Sequence, residues 1–232
     1  HAFFYAAFYS VSAFNNGGFS LFPNSLMSFA DHYLITLTIS MLYIIGGIGF
    51  VVLMDIKRNH RWKKLSTNSK LILSTIAGLN LAAFIVIWIL EANNPLTLSS
   101  MSVGDQALNA WFHATVPRSA GFNSLDVSSM TDASTLVTMI LMFIGGGSLS
   151  TAGGIKVGTF IIVVLSVITF LRRSEELRIF NHSVPKTTSF KALAVVSITA
   201  ILIILGFFAL LIIEKEKDFL DLLFEAVSAA CT

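Results

Sequence analysis

Two glycine-containing segments interrupt an otherwise apolar sequence, and they resemble each other. They are "FYSVSAFNNGGFSL", Phe8 to Leu21, and "WFHATVPRSAGFNSL", Trp111 to Leu125. Aligning Gly18 with Gly121 also pairs the aromatic residues with which the two segments begin. A third copy, "LFEAVSAACT", runs from Leu223 to Thr232 and reaches Thr232 without the glycine. Three copies at a spacing of roughly a hundred residues predict an internal structural repeat.

The residue types in these segments favour the binding of a monovalent cation by backbone carbonyls. Gly17, Gly18 and Gly121 permit backbone angles that are closed to other residues, so that successive carbonyls can face one direction. A ring of such carbonyls can replace the hydration shell of the ion. If a short helix precedes each loop, its C-terminus adds partial negative charge. The segments 15–18 and 118–121 contain no carboxylate, which disfavours a Ca²⁺ or Mg²⁺ site.

Long uncharged runs predict that these segments lie within a membrane. Hydrophobic residues make up 55% of the sequence and charged residues only 12%, whereas soluble domains carry about 25% charged residues. A membrane-spanning helix needs about 20 apolar residues. The runs that lack any charged side chain and reach this length are His32–Met54, Leu71–Leu90 and Ala192–Ile213. A buried core helix of a large soluble protein is the alternative.

A fourth apolar run is too long for one straight helix. It extends from Ala133 to Leu171, and its only charged residue is Lys156. At about 1.5 Å per residue, a single helix would approach twice the hydrocarbon thickness of a bilayer. The segment "GGGSLSTAGGIKVG", Gly145 to Gly158, lies in its middle and disfavours helix. The sequence therefore predicts a broken, tilted or re-entrant segment here.

The distribution of basic residues predicts the topology, although the net charge is only +2. Lysine and arginine concentrate in the loops 57–70 and 172–191, which the positive-inside rule places in the cytoplasm. Nucleic-acid binding by the first loop is disfavoured, because basic residues are expected beside a membrane. The segment 92–131 must then start and end outside the cell. Its short apolar stretch predicts a half-depth hairpin surrounded by protein or by a water-filled cavity.

Enzyme and resident-metal functions find little support in these residues. Ser148 and Ser150 with His113 could be imagined as an intramembrane hydrolase, but no sequence feature brings a nucleophile and a base together. We expect His113 to be a packed residue of a pore helix. The remaining histidines lack metal-ligand spacing, and the single cysteine, Cys231, excludes a zinc site built from several cysteines. We therefore predict that the protein is not an enzyme and carries no covalently bound cofactor.

Three motifs together resemble one known group of membrane proteins. "SAFNNGGFSL", "TVPRSAGFNSLD" and "GGGSLSTAGGIKVGTF" are similar to segments of the Trk/Ktr/HKT superfamily of potassium transporters, and most similar to the membrane subunits of bacterial Ktr systems. The resemblance covers essentially the whole chain. It implies an all-α polytopic membrane protein of the plasma membrane, with repeated units of membrane helix, re-entrant pore helix and membrane helix around one cation pore.

The family has four such repeats in one chain, which implies a division of this sequence. Residues 1–58 would form the pore loop and inner helix of repeat two. Residues 59–173 would form repeat three, with a pore loop at 104–125, a broken inner helix at 132–172 and an intramembrane loop at 145–158. Residues 174–232 would form the outer helix and the start of the pore helix of repeat four. The chain is thus expected to be a fragment of a four-repeat protein.

The resemblance also implies roles for individual residues. The selectivity filter would comprise the backbones of Asn15, Asn16, Gly17 and Gly18 in one strand and of Arg118, Ser119, Ala120 and Gly121 in the next. The loop that gates the pore below the filter would comprise Gly145, Gly146, Gly147, Ser148, Ser150, Thr151, Gly153, Gly154 and Lys156. In the family the filter binds dehydrated K⁺ through its backbone carbonyls.

Four side chains near these segments keep alternative interpretations. Arg118 is expected to turn behind the filter toward carboxylates or carbonyls. Asp126 is either its partner, a charge at the pore mouth, or a solvated loop residue. Lys156 either repels K⁺ when the loop is closed or only anchors the loop to a carbonyl or a helix C-terminus. Leu149 is either a hydrophobic plug or a packing residue.

The resemblance implies partners and a transported ion as well. K⁺ would be the cargo, and Na⁺ a candidate activator. The protein would form a homodimer in the lipid bilayer and bind a cytosolic KtrA-like regulatory ring, which alone would carry the nucleotide. The ring would contact the basic loops 57–64 and 172–186, and we expect no nucleic-acid partner. A Trk-type symporter coupled to H⁺ or Na⁺, or a polytopic protein without transport function, remains the alternative.

Overall fold

The protein is described by a computed structural model covering residues 2–173, 177–179 and 182–231. Within these ranges the chain is almost entirely helical, with one short antiparallel hairpin between the seventh and eighth helices. The helices are α1 (Ala2–Phe14), α2 (Tyr33–Ile48), α3 (Phe50–Asn59), α4 (Thr67–Glu91), α5 (Val103–Thr115), α6 (Asp132–Phe143), α7 (Val157–Leu171), α8 (Lys186–Ile213) and α9 (Phe219–Cys231). The strands are β1 (Leu177–Ile179) and β2 (His182–Val184).

Hydroxyl side chains fix where three of the helices begin. Ser66 precedes α4 and accepts from the backbone N–H of Ser69, while Ser102 precedes α5 and accepts from that of Asp105. Thr131 precedes α6 in the same way and accepts from the N–H of the third residue after it. These caps satisfy backbone donors that have no partner within the first turn of a helix.

Two helices are long and apolar enough to cross a bilayer, α4 and α8. Counting α2 and α3 as one bent segment raises the number of candidate spans among the described residues to three. On α8 only Ala192 and Ile203 are buried, and its large apolar side chains are otherwise mostly exposed. An apolar surface of this extent is stable in lipid and would be an aggregation hazard in water.

The first span differs from the single straight helix that the uncharged run predicts. The structure bends the chain by 94° between α2 and α3, at Gly49. Gly49 has φ +100°, and a Cβ atom placed on it would lie 2.3 Å from the carbonyl oxygen of Ser148. Both the dihedral angle and the close approach require glycine. Because the neighbour comes from a distant part of the sequence, the composition of the run does not reveal the bend.

The fourth apolar run is broken where the sequence predicts it. Helix α6 ends at Phe143 and α7 begins at Val157, and the intervening residues 144–156 form an irregular segment that we call the central loop. Its two ends are joined by a short bridge between Ile144 and Ile155, in which the N–H of Gly145 donates to the Ile155 carbonyl at 2.9 Å.

The core lies between the two hairpins that begin with α1 and α5. Tyr9 of α1 packs against Phe122 of the second hairpin, with ring centroids 6.1 Å apart. Phe112 of α5 packs edge-on against Tyr43 of α2, and the Tyr43 hydroxyl is hydrogen bonded to Thr115 at 2.6 Å. These side chains are almost fully buried and hold both glycine loops against α2.

Candidate cation site

The two glycine loops share an unusual backbone conformation. Asn16 and Gly18 have φ angles of 51° and 65°, and Ser119 and Gly121 have 76° and 72°. The positive angles therefore fall on the same two positions when Gly18 is aligned with Gly121. Positive φ is uncommon for residues other than glycine and is associated with functional sites. Both loops thus follow the same path, with one intervening residue between two left-handed ones.

The main chains of the two loops touch at their second glycines. A Cβ atom on Gly18 would lie 2.7 Å from the Cα of Gly121 and 2.9 Å from the carbonyl oxygen of Ala120. A Cβ on Gly121 would lie 2.9 Å from the Cα of Gly18. A side chain at either position would therefore collide with backbone that cannot move without displacing the whole loop.

Side chains of the preceding helices hold the returning part of each hairpin. The Tyr9 hydroxyl accepts from the N–H groups of Leu21 and Phe22, at 3.0 and 3.3 Å. In the second hairpin, Nε2 of the buried His113 accepts from the N–H of Leu125 at 3.1 Å. Phe22 and Leu125 are equivalent when Gly18 is aligned with Gly121. His113 therefore positions the loop as an uncharged acceptor, in agreement with its interpretation as a packed pore-helix residue.

Arg118 is buried without a complete set of partners. Its side chain is 8% exposed, and among the described residues neither Nε nor Nη1 has a hydrogen-bond acceptor. Asp126 is directed elsewhere, because it accepts from the Ser128 hydroxyl, the Ser128 N–H and the Ser129 hydroxyl. The hydrogen bonds from Ser128 hold the pKa of Asp126 below its ordinary value. Asp126 thus caps the short turn that follows it.

The central loop lies directly against both glycine loops. The Asn16 side-chain amide donates through Nδ2 to Oγ1 of Thr151 at 2.6 Å, and that hydroxyl donates to the Phe14 carbonyl at 3.3 Å. The N–H of Gly153 donates to Oγ of Ser119 at 2.9 Å. The structure therefore joins one predicted filter residue of each glycine loop, Asn16 and Ser119, to the predicted gate segment through hydrogen bonds.

The opposite side of the central loop is bonded to the bend between α2 and α3. The N–H of Gly147 donates to the Gly47 carbonyl at 2.7 Å, and the N–H of Phe50 donates to the Leu149 carbonyl at 3.1 Å. The Leu149 side chain is 72% exposed, so it is not a packing residue within the described chain. The loop is thus held between the glycine loops on one side and the bend on the other.

Lys156, the only charged residue of the central loop, forms a hydrogen bond within it. Its Nζ atom donates to the carbonyl of Ala152. This contact is of the anchoring kind that the sequence left open. It also places the positive charge next to Gly153, whose N–H contacts Ser119 of the second glycine loop.

Glu91 holds a structural position that its sequence context does not single out. The carboxylate at the end of α4 is fully buried. Its Oε1 accepts from the N–H and the hydroxyl of Thr131, at 2.9 and 2.8 Å. Its Oε2 accepts from Asn94 and Thr97, at 2.8 and 2.6 Å. The signal in the sequence is a carboxylate directly after the uncharged run Leu71–Leu90.

Several predicted residues lie outside this cluster. The Asn15 side chain is bonded to the Val11 carbonyl of its own helix, and Ser148 is exposed. The basic residues of segment 57–64 are exposed, in the last turn of α3 and in the loop before α4. The loop 172–191 is described only in part, and Thr232 lies outside the described residues. Within the described ranges, no cluster of histidine, cysteine or acidic residues is suited to a metal ion.

A family model and the sequences of known relatives indicate the same family for this chain. A sequence model described as TrkH, cation transport protein, matches residues 1–232. The Ktr system potassium uptake protein B of Bacillus subtilis (strain 168) is 45% identical over 226 residues, which cover 97% of this chain and 51% of the relative. The protein of the same name from Vibrio alginolyticus is 40% identical over 233 residues, covering 99% and 50%. The chain spans about half the length of these curated relatives.

A solved structure shares the fold. The crystal structure of the potassium transporter TrkH from Vibrio parahaemolyticus matches with a TM-score of 0.83 at 20% sequence identity. The match covers 97% of this chain and 48% of that one. The predicted fold class is confirmed: the chain is an all-α polytopic membrane protein with repeated membrane helix, re-entrant pore helix and membrane helix units.

Replacing Glu91 with glutamine tests whether this carboxylate holds the second hairpin. The amide of Glu91→Gln keeps the shape but turns an NH₂ group toward donors, so we expect a loss of about 2 kcal/mol in unfolding free energy. Glu214→Gln, at an exposed position after α8, is the matched control and should change stability by less than about 0.5 kcal/mol. Unfolding of the full-length protein in detergent measures both, and equal stabilities would contradict the role of Glu91.

Proposed function

Because the chain belongs to the TrkH family of cation transport proteins, we propose that it forms part of a pathway for K⁺ uptake across the cell membrane. The observation that carries this proposal is the pair of glycine loops, which have matching positive φ angles and contact each other at Gly18 and Gly121. The names of the relatives, potassium uptake proteins of Ktr systems, support K⁺ as the cargo.

The two loops act in this proposal as neighbouring strands of a selectivity filter. Carbonyls of residues 15–18 and 118–121 coordinate dehydrated K⁺, while the side chains of this ring stay out of the ion's path. In a four-repeat protein these two strands supply half of the ring of carbonyls. In this proposal residues 1–58 belong to repeat two, residues 59–173 form repeat three, and residues 174–232 belong to repeat four. The membrane potential drives entry, at about 2.3 kcal/mol per charge for each 100 mV.

The central loop is the gate in this proposal. It is non-helical backbone between two helices of one apolar run, and it contacts both glycine loops through Thr151 and Gly153. Non-helical segments at membrane depth persist only where protein or a cavity surrounds them. Such a segment can adopt two arrangements and so regulate passage. Lys156 anchors the loop through Ala152 and adds a positive charge near the path.

The regulatory part of the proposal concerns partners. A homodimer with one pathway per protomer would bind a cytosolic KtrA-like ring that carries the nucleotide, with the basic loops 57–70 and 172–191 on the cytoplasmic side. The exposure of residues 57–64 supports such a contact. Na⁺ is proposed as an activator and not as a resident cofactor. The higher identity to Ktr proteins favours this assignment over a Trk-type symporter coupled to H⁺ or Na⁺.

Ion flux into liposomes tests the proposed function. We expect the full-length protein, reconstituted with its regulatory partner, to carry ⁸⁶Rb⁺ inward when the lumen is made negative. Protein-free liposomes are the control. Absence of flux both with and without the partner would contradict transport. A flux that requires a gradient of H⁺ or Na⁺ would instead identify a symporter.

Replacing a filter glycine with serine tests the assignment of the filter. Gly18→Ser and Gly121→Ser each introduce a Cβ that collides with the neighbouring loop at a positive φ, so the carbonyls must move. We expect the preference for K⁺ over Na⁺ to fall toward equality in flux competition. Gly206→Ser, where a Cβ would meet no atom within 4 Å, should keep the preference. If both filter variants remain selective, the assignment is wrong.

Deleting part of the central loop tests its role as the gate. Removal of residues 148–154 eliminates the hydrogen bonds to Asn16 and Ser119. We expect the shortened protein to carry Rb⁺ at a high rate without the regulatory partner, since no segment then closes the path. The intact protein without its partner is the reference. A deletion variant whose flux still depends on the partner would exclude the loop from the gating mechanism.

A further inference from the structure

Equivalent residues of two repeats contact the same segment. Asn16 and Ser119 each stand two positions before the filter glycine of their own loop, and both have positive φ. Each side chain is hydrogen bonded to the central loop, Asn16 to Thr151 and Ser119 to Gly153. A family role in the filter concerns only the backbone and does not account for these contacts.

The hydrogen bonds from Asn16 to Thr151 and from Thr151 to Phe14 use each donor and acceptor once. The single hydroxyl proton of Thr151 goes to the Phe14 carbonyl, so its oxygen is free to accept from Asn16. Phe14 ends α1, and the last carbonyls of a helix carry partial negative charge that has no partner within the helix. The central loop therefore supplies a donor to a carbonyl at the C-terminus of a pore helix.

Two close approaches leave little freedom in this arrangement. A Cβ atom on Gly46 would lie 1.9 Å from the Phe14 oxygen, so α2 is in contact with the same carbonyl. A Cβ on Gly153 would lie 2.7 Å from the carbonyl oxygen of Cys231, the last described residue of α9. Residues 151–153 thus lie among the C-terminal end of α1, the filter loop after α5 and the C-terminal end of α9.

We propose that the side chains of Asn16 and Ser119 form a latch that holds the central loop closed against the filter. The proposal rests on the function proposed above and adds specific residues to its regulation. Opening requires both side-chain hydrogen bonds to break, and each broken bond leaves a donor in a partly buried place. A substitution that removes a latch hydrogen bond therefore shifts the equilibrium from the closed toward the open loop. A movement of the filter backbone at Asn16 or Ser119 likewise alters these hydrogen bonds and so affects the loop.

A thiol reporter in the loop measures opening without relying on transport. Ser150→Cys is nearly isosteric, and Oγ of Ser150 is buried with no hydrogen-bond partner among the described residues, so the replacement removes no hydrogen bond. The native Cys231 is buried at 1% exposure. The full-length protein in liposomes is treated with a charged methanethiosulfonate reagent. Loop opening is measured as the modification rate of the Ser150→Cys protein minus the modification rate of the protein without this substitution.

The test compares near-isosteric variants in this background. Thr151→Val removes the hydroxyl, whereas Thr151→Ser keeps it. We expect Thr151→Val to raise the modification rate at least about tenfold, because the variant loses both hydrogen bonds of the hydroxyl, with Asn16 and with Phe14. Thr151→Ser should stay near the parent. Ser119→Ala, which acts on the other bond, should also raise the rate. Thr199→Val and Ser166→Ala are the matched controls, because each of these hydroxyls donates to a carbonyl one turn earlier in its own helix.

The outcomes separate the latch from the transport proposal. If neither Thr151→Val nor Ser119→Ala is modified faster than its control, the latch is wrong, even when Rb⁺ flux is normal. If Thr151→Ser opens as readily as Thr151→Val, the hydroxyl is not the cause and the latch is also wrong. Faster modification in both variants, in a protein that carries no Rb⁺, supports the latch as a contact and overturns the proposed function.

Discussion

The contact between the main chains at Gly18 and Gly121 is the constraint on which the rest of the structure depends. Two loops from segments about a hundred residues apart can touch only if the helices before them end at the same level and point toward the same place. The aromatic packing of Tyr9 on Phe122 fixes that level. Glu91 fixes the second hairpin further out, because it joins the end of α4 to the start of α6. Aromatic packing and a buried carboxylate therefore together position two glycine loops whose segments 15–18 and 118–121 contain no carboxylate.

Much of this architecture could be predicted from local sequence. The glycine loops, the apolar spans and the break in the fourth run follow from residue types over short windows, where glycine and charge act locally. The bend at Gly49 could not be predicted, because its cause is the distant carbonyl of Ser148. The same holds for the side chains of Asn16 and Ser119. Their hydrogen bonds to the central loop could not be predicted, because the partners Thr151 and Gly153 lie 135 and 34 residues away along the sequence.

Arg118 is a case in which the sequence suggested a contact that the structure does not contain. Its position in the predicted filter segment suggested a partner nearby, and Asp126 is the first acidic residue that follows it in the sequence. In the structure Asp126 is engaged by Ser128 and Ser129, and two nitrogen atoms of the guanidinium remain without acceptors among the described residues. Closeness in sequence is a weak predictor of an ion pair here. A carboxylate that is followed by serines accepts hydrogen bonds from their hydroxyl and N–H groups instead of from a more distant cation.

The bend and the central loop satisfy each other's backbone hydrogen bonds, and this explains why the two segments lie side by side. Ending α2 at Ile48 leaves the Gly47 carbonyl without a partner in its helix, and starting α3 at Phe50 leaves that N–H without one. The loop supplies the missing groups, as Gly147 donates to Gly47 and Leu149 accepts from Phe50. In a bilayer, each of these groups would be costly if left unpaired. If the central loop moves away from the glycine loops, either the bend moves with it or these backbone groups lose their hydrogen bonds. The two segments therefore behave as one structural unit.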